Sequence, residues 1–418
     1  MQISSFHWQH RWQSFAVFSV SFLAVSVSLG VAMVSIAKLL LLIAVVGQLF
    51  FDVKHRSFPS FKRWPQMAWW ILLAMAWMSL SFLWTESSSS DALAGWGRHS
   101  RILWFLAVIY LLRNSEQALL TLKWFVAGMV VMMLSSWALV AGLPVPWATA
   151  KALPSLGIVH GSTLEQPVLL TLLAVVLWFM REHWPTGRWR WAPLGILLLT
   201  VFNVFFVMTG RSGFLVMLVF ISMAVWWQLP RRWRWLVLGL PFVLSALMMV
   251  LSPRFQSKTT EVVKDVISYR QGSIETSQAQ RLDYWHRSLL AFQEKPLIGH
   301  GVGSWRMNYH QLGGMQVDAP SNPHQQYLLW TVESGAVGVA LFFGILFFQF
   351  KGAHKLPENA RQTLLTVTFI SAVLGLMNCP YFGAGMGECL VYLAACLLSL
   401  HQNQMNKKNF HDKKTFLS

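Results

Sequence analysis

Apolar runs of membrane-spanning length recur along the whole chain, separated by short polar segments. A helix that crosses a bilayer needs roughly 20 consecutive apolar residues, within a range of about 17–25. The stretch from Phe15 to Phe51 is almost uncharged and too long for one crossing, so a tight turn at Gly30 divides it into two helices. Further spans read as 65–84, 100–112, 119–141, 164–180, 191–208, 212–229, 235–251, 325–350, 361–378 and 384–400. The expected fold is all-α, a polytopic membrane protein of about 12 transmembrane helices. Helices 1–9 occupy residues 1–251 and helices 10–12 occupy 323–400. Residues 401–418 form a basic tail, and the polar start from Met1 to Ser14 reads as the lead-in to a retained first helix rather than a cleaved signal.

The remaining segment, 252–322, is too long for a turn, and a loop of that length in a compact protein is usually functional or disordered. Its pattern is helical. Val262, Val263, Val266 and Ile267 share one face of a first helix. Ser277-x-x-Gln280 is a capping-box pattern that opens a second helix, with Leu282, Trp285, Leu289 and Phe292 at amphipathic spacing and Pro296 after its end. The segment is expected to be a small helical cap lying on the membrane surface between helices 9 and 10.

Basic residues set the orientation, because Lys and Arg accumulate in short cytoplasmic loops. With the N-terminus inside, alternate loops carry Lys54, Arg56, Lys62 and Arg63, then Arg113 and Lys123, then Arg181, Arg188 and Arg190, then Arg231, Arg232 and Arg234, then Lys351, Lys355 and Arg361. The opposite short loops are nearly bare. Both termini are therefore expected in the cytoplasm and the 252–322 cap in the periplasm. Composition agrees: 55% of residues are hydrophobic and 12% charged, against about 25% charged in a soluble domain. The formal charge of +17 has the pattern of topology and of anionic lipid contact, and calls for no nucleic acid. Cys379, Cys389 and Cys396 lie in the last apolar stretch without the spacing of a metal site or a disulfide framework.

Candidate chemistry falls on the outer side. In Asn322-Pro323-His324, Asn caps and Pro opens a helix, placing His324 in its first turn. A positive helix end keeps an imidazole neutral, able to take a proton from a hydroxyl; a water-facing residue at a helix start is the alternative. Arg281 sits in the first turn of the amphipathic helix with Trp285 one turn on. It can bind phosphate bidentately or snorkel to lipid headgroups. Arg211, in Thr209-Gly210-Arg211-Ser212-Gly213, joins two spans and lies near the membrane plane, where a charge tends to be functional. Arg98 and Arg101 begin a short outer-facing helix and could meet an anionic substrate or headgroups. Gly299-His300-Gly301-Val302-Gly303 has no preceding strand, so it reads as a flexible loop rather than a nucleotide site. Glu333 is on the opposite helix face from His324 and reads as a packing or hydrogen-bonding residue between helices; Glu388 could pair with an Arg. No Walker loop, HExxH, Gly-x-Ser-x-Gly or paired carboxylate motif occurs, and acidic residues are nearly missing from the spans.

Taken together, Arg281-x-x-x-Trp285, Pro296-Leu-Ile-Gly299-His-Gly301-Val-Gly303, Asn322-Pro323-His324-Gln325-Gln326-Tyr327-Leu328 and Glu333-Ser-Gly335 resemble the signature of the O-antigen ligase and polymerase superfamily. Arg211 looks like the basic residue that this family carries at the outer mouth of the membrane. Gln325 departs from the pattern, where Asn is frequent, and so does the Arg-Ser order of the hairpin. The resemblance implies a lipid-carrier glycosyltransferase of the GT-C type, without cofactor or metal, in the inner membrane of a Gram-negative bacterium. The implied donor is a glycan on undecaprenyl pyrophosphate, and the implied acceptor is a sugar hydroxyl of lipid A–core oligosaccharide. His324 would be the general base, with Arg281 and Arg211 on the pyrophosphate. Arg98, Arg101, Trp285, Asn322 and Gln325 are further candidates for substrate contact. An O-antigen polymerase or a protein O-oligosaccharyltransferase shares the signature, and a lipid or solute transporter is the alternative without chemistry.

Overall fold

The computed structural model describes residues 2–58, 64–160, 162–184, 186–208, 210–251 and 253–401; side chains of 2–10, 253–255 and 258 are outside that description. Among the described residues there are sixteen α-helices: α1 (Gln2–Ser26), α2 (Val31–His55), α3 (Gln66–Leu80), α4 (Ser89–His99), α5 (Trp104–Leu111), α6 (Ser115–Val140), α7 (Glu165–Phe179) and α8 (Ala192–Phe202), then α9 (Arg211–Gln228), α10 (Leu240–Leu251), α11 (Pro253–Arg270), α12 (Ser277–Glu294), α13 (Trp305–Gln311), α14 (Gln326–Ala353), α15 (Glu358–Gly375) and α16 (Met386–Ser399). Among the described residues there is no β-strand, only one antiparallel bridge between Leu153 and Ile158. Lys62, Arg63 and the basic tail beyond His401 lie outside the described residues.

Helix is present in every segment expected to span. Among the described residues six helices are long and apolar enough to cross a membrane, seven if the bent pair 231–238 and 240–251 is one span. The chain is a multi-pass membrane protein. The expected span 100–112 holds only the eight residues of α5 behind a 3-10 turn, continuing from α4.

Burial explains the arrangement. Helix α2 buries Val34, Ala37, Leu41 and Ala44 and turns Leu39, Leu42, Val46 and Phe50 outward. An outward apolar face of that extent suits lipid rather than water. Helices α7 and α16 are apolar on all sides and buried nearly throughout, so they form the centre of the bundle. The close approach of α9 to α7 depends on glycine: a Cβ at Gly210 would stand 2.1 Å from the Thr163 carbonyl oxygen.

Two expectations change here. The span 325–350 is not one regular helix: α14 is broken at Gly335, which has φ 60° and ψ −159°. The loop expected to be flexible, 299–303, is what fills the break. His300 N–H donates to Val332 O at 2.9 Å and Gly301 N–H to Glu333 O at 3.0 Å, while Ala336 N–H donates to Pro296 O at 2.8 Å. The backbone groups freed by the break are thus satisfied within the protein, as a low-dielectric surrounding demands. Contact is so close that a Cβ at Gly299 would lie 2.5 Å from Ser334 N, and one at Gly335 2.3 Å from Leu297 O. His300 is buried rather than a loop ornament, with Nε2 2.9 Å from Ala291 O.

Candidate active site

Helix α12 carries the first two site residues. Its N-cap is Thr276, whose hydroxyl accepts from Ala279 N–H at 3.2 Å, and not the expected Ser277. Arg281 consequently lies in the second turn rather than the first. The packed face is also not the expected one: Ala279, Asp283, Tyr284, Ser288 and Ala291 are buried, whereas Leu289 is exposed. The reason is Asp283. Its carboxylate, fully buried, accepts from Tyr309 O–H at 2.5 Å and Met315 N–H at 3.1 Å and pairs with Arg287 at 3.4 Å. A buried charge with that many donors outweighs an apolar stripe in fixing which side of a helix faces inward. The ring of Tyr284 packs edge-on to Trp305 and Tyr309, completing the anchor.

His324 is not in a helix. The Asn322 side chain, expected as the N-cap, accepts from His324 N–H at 2.9 Å and closes a turn instead, and His324 itself takes φ 52°. Helix α14 starts two residues later, capped by Gln325, whose Oε1 accepts from Leu328 N–H at 2.5 Å. A non-glycine residue with positive φ is uncommon, and such strain collects at functional sites. The turn is held from both sides. Trp285 Nε1–H donates to Pro323 O at 3.1 Å, and His324 Nδ1 lies 3.5 Å from Asn378 Oδ1, on the loop between α15 and α16. Gln326 fastens that loop to α14, donating from its backbone to Asn378 O at 3.0 Å and accepting from Tyr381 N–H at 3.2 Å.

The electrostatics separate the arginines. Arg281 makes no hydrogen bond or ion pair among the described residues. Burial and the neighbouring Arg211 hold its pKa below the usual value. Arg211, the first residue of α9, is paired with α11: Glu261 at 3.0 Å and Asp265 at 3.9 Å. Burial and then the charge of Arg281 hold the His324 imidazole below its ordinary pKa, partly offset by Asn378. His324 is therefore neutral at neutral pH, by burial and a nearby cation rather than by a helix end.

Arg211, Arg281, Trp285, Asn322 and His324 thus come together, with Thr209 outside the described residues. Gln325 is adjacent but occupied as a cap. Arg98 and Arg101 reach the site's far edge through Phe382: Arg101 donates to its carbonyl and pairs with Glu388 at 3.4 Å, and Arg98 stacks over its ring at 5.2 Å. The expected pairing of Glu388 is therefore observed, joined by Lys38 at 3.0 Å.

Four contributors escaped the sequence reading: His99, Asn378, Lys38 and Asp283. Glu333, expected to pack or hydrogen-bond between helices, does so: it forms a buried pair with His99 at 2.7 Å, side chains 1% and 2% exposed, between α14 and α4. Asn378 and Lys38 act across the fold. For Lys38 a signal existed, a lone cation inside an apolar run; for the others the sequence has none.

Residues 196–343 match the family described as O-antigen ligase. A protein of Haemophilus influenzae, described as uncharacterized, is 25% identical over 163 residues, 36% of this chain and 41% of that protein. The chain thus spans about two fifths of the length of the curated relative it matches. The matched segment contains Arg211, Arg281 and His324 together, so the residues that form the site lie within the stretch that is similar to the O-antigen ligase family.

Proposed function

We propose that the chain is an O-antigen ligase that transfers a glycan from undecaprenyl pyrophosphate to a sugar hydroxyl of lipid A–core oligosaccharide. The observation that carries this reading is Arg281, a half-buried guanidinium without a partner among the described residues, next to a neutral, strained histidine. A cation held in such a place is stabilised when an anion arrives, and a planar guanidinium suits phosphate oxygens.

In this mechanism the acceptor oxygen attacks the anomeric carbon while the bond from that carbon to the pyrophosphate oxygen breaks. The electron pair leaves with undecaprenyl pyrophosphate, and Arg281, with Arg211, stabilises the growing charge. The acceptor proton passes to His324. Asn378 can accept from Nδ1–H, which leaves Nε2 with its lone pair. One displacement inverts the anomeric centre. Charge neutralisation by guanidinium groups gives the reaction no need for a metal. The membrane supplies the surroundings: about 12 spans, both termini cytoplasmic, and α11–α13 as a periplasmic cap over the outer ends of the helices in a Gram-negative inner membrane. A periplasmic site has no nucleotide sugars, so its donor must arrive on a lipid.

The test is transfer in vitro with purified protein, undecaprenyl-pyrophosphate glycan and lipid A–core, beside His324→Ala. Ligated product that is lost in the variant and unaffected by chelator is the expected result. Growth of the lipid-linked glycan itself would make the chain a polymerase, modification of an added protein acceptor would make it an oligosaccharyltransferase, and no reaction at all would favour a transporter.

A further inference from the structure

The charge of Arg281, with Arg211 beside it, bears on His324. The loop between α15 and α16 runs from Asn378, also beside the imidazole, to Phe382, and there meets the arginines of α4 and the turn after it.

Those arginines are not equivalent. Arg101 is engaged, by the Phe382 carbonyl and by Glu388, and serves the bundle. Arg98 has only the face of the Phe382 ring and makes no hydrogen bond or ion pair among the described residues. Its nearest carboxylates are committed elsewhere: Glu333 to His99 at 2.7 Å, and Asp91 to Ser88 at 2.8 Å as part of the α4 cap. A second cation approaches from α13. Arg306 is exposed, and its Nε lies 3.4 Å from Pro320 O, just before the turn that carries His324. Burial, and then repulsion from Arg101 and Arg306, hold the Arg98 pKa below its usual value. Gly303, just ahead of α13, packs against Gly95 and Asp91 of α4, so tightly that a Cβ at Gly95 would lie 2.8 Å from Gly303 Cα; the two guanidinium groups are thus carried on touching elements at the edge of the site.

We propose that Arg98 and Arg306 form a second anion subsite on the acceptor side of His324, and that it binds a phosphate monoester carried on the acceptor glycan. A phosphate monoester carries about −1.5 to −2 charges at pH 7, which matches two guanidinium groups; a carboxylate matches one. Bound there, the phosphate orients the acceptor so that its hydroxyl faces His324 while the donor lies against Arg281. The role of the subsite rests on the ligase reading, but its occupancy does not.

Binding and transfer separate the two claims. The full-length chain and its Arg98→Gln and Arg306→Gln variants would be placed in nanodiscs of zwitterionic lipid. Affinity would be measured for lipid A–core with its core-sugar phosphates intact and for the same glycolipid with them removed. The wild type is expected to favour the phosphorylated form about tenfold, the value of one good charge-assisted contact, and each variant to bring that ratio toward one. Affinity for the dephosphorylated acceptor and for undecaprenyl-pyrophosphate glycan should stay unchanged, which also reports an intact fold. Equal weakening toward both acceptors, or toward the donor, overturns the subsite. Anionic phospholipid in the nanodisc that abolishes the wild-type preference assigns the site to a headgroup and overturns it too. Phosphate-dependent binding without any transfer would sink the ligase reading alone; transfer without phosphate preference would sink the subsite alone.

Discussion

Replacing Arg281 with Gln separates the electrostatic account from a purely structural one. Arg281 has no acidic partner among the described residues, is half-buried, and is repelled by Arg211. Removing it takes away a cation that the fold gains nothing from, so thermal stability should hold or rise. Catalysis should suffer. The loss of one preorganised donor to developing charge typically costs about 10²–10³ in kcat, or roughly 3–4 kcal/mol. The pH profile supplies a third, independent reading. The acid limb of kcat/KM reports the free-enzyme base, here the neutral imidazole of His324. Burial first and Arg281 second hold that group below 6.5. With the cation gone, the imidazolium is penalised less, the pKa rises, and activity is lost at a higher pH than in the wild type; burial keeps the limb below the ordinary histidine value. Transfer rates across pH, with melting curves of the purified variant, measure all three. A limb that stays or moves down, or a melting temperature lowered by several degrees, would refute the reasoning.

Other substitutions probe the supports. Trp285→Phe deletes the hydrogen bond to Pro323 O and little else, worth about 1 kcal/mol; kcat should fall roughly fivefold, with the acid limb unmoved. Asp283→Ala strands the Tyr309, Met315 and Arg287 donors and should lower stability by about 3–5 kcal/mol, while Asp283→Asn, which keeps an acceptor, should lose less; thermal unfolding in detergent compares them. Gly299→Ala, at φ 70° and against Ser334 N, should cost about 2 kcal/mol or more, read as a lower melting temperature and reduced transfer by protein that is still membrane-inserted.

Much of the bundle could be read from the chain because spanning length and apolar content are local properties. Helix falls in each expected span, and Arg281 and His324 were picked out by their neighbours in sequence. The misreadings are competitions that sequence spacing does not resolve. Asn322 and Gln325 both offer a cap to α14, and Asn322 is taken by His324 N–H. Thr276 and Ser277 both precede α12, and the threonine wins by the hydrogen bond to Ala279. Asp283 inverted the expected inward face because its donors come from residues 309 and 315, which no helical period could include. His99, 234 residues from the Glu333 it pairs with, shows the limit most plainly: alone it looks like an ordinary polar residue near a membrane end. The glycines at 299, 301 and 303 looked like freedom and are in fact close contact, since each stands where a side chain would strike backbone or a neighbour.

The break at Gly335 bears on the order in which the protein is built. Residues 296–301 leave the ribosome before the helix they complete, and α14 cannot close its backbone at Val332 and Glu333 until it finds them. The helix is thus finished by a segment that precedes it in the chain, and a substitution on either side of the junction acts on both at once.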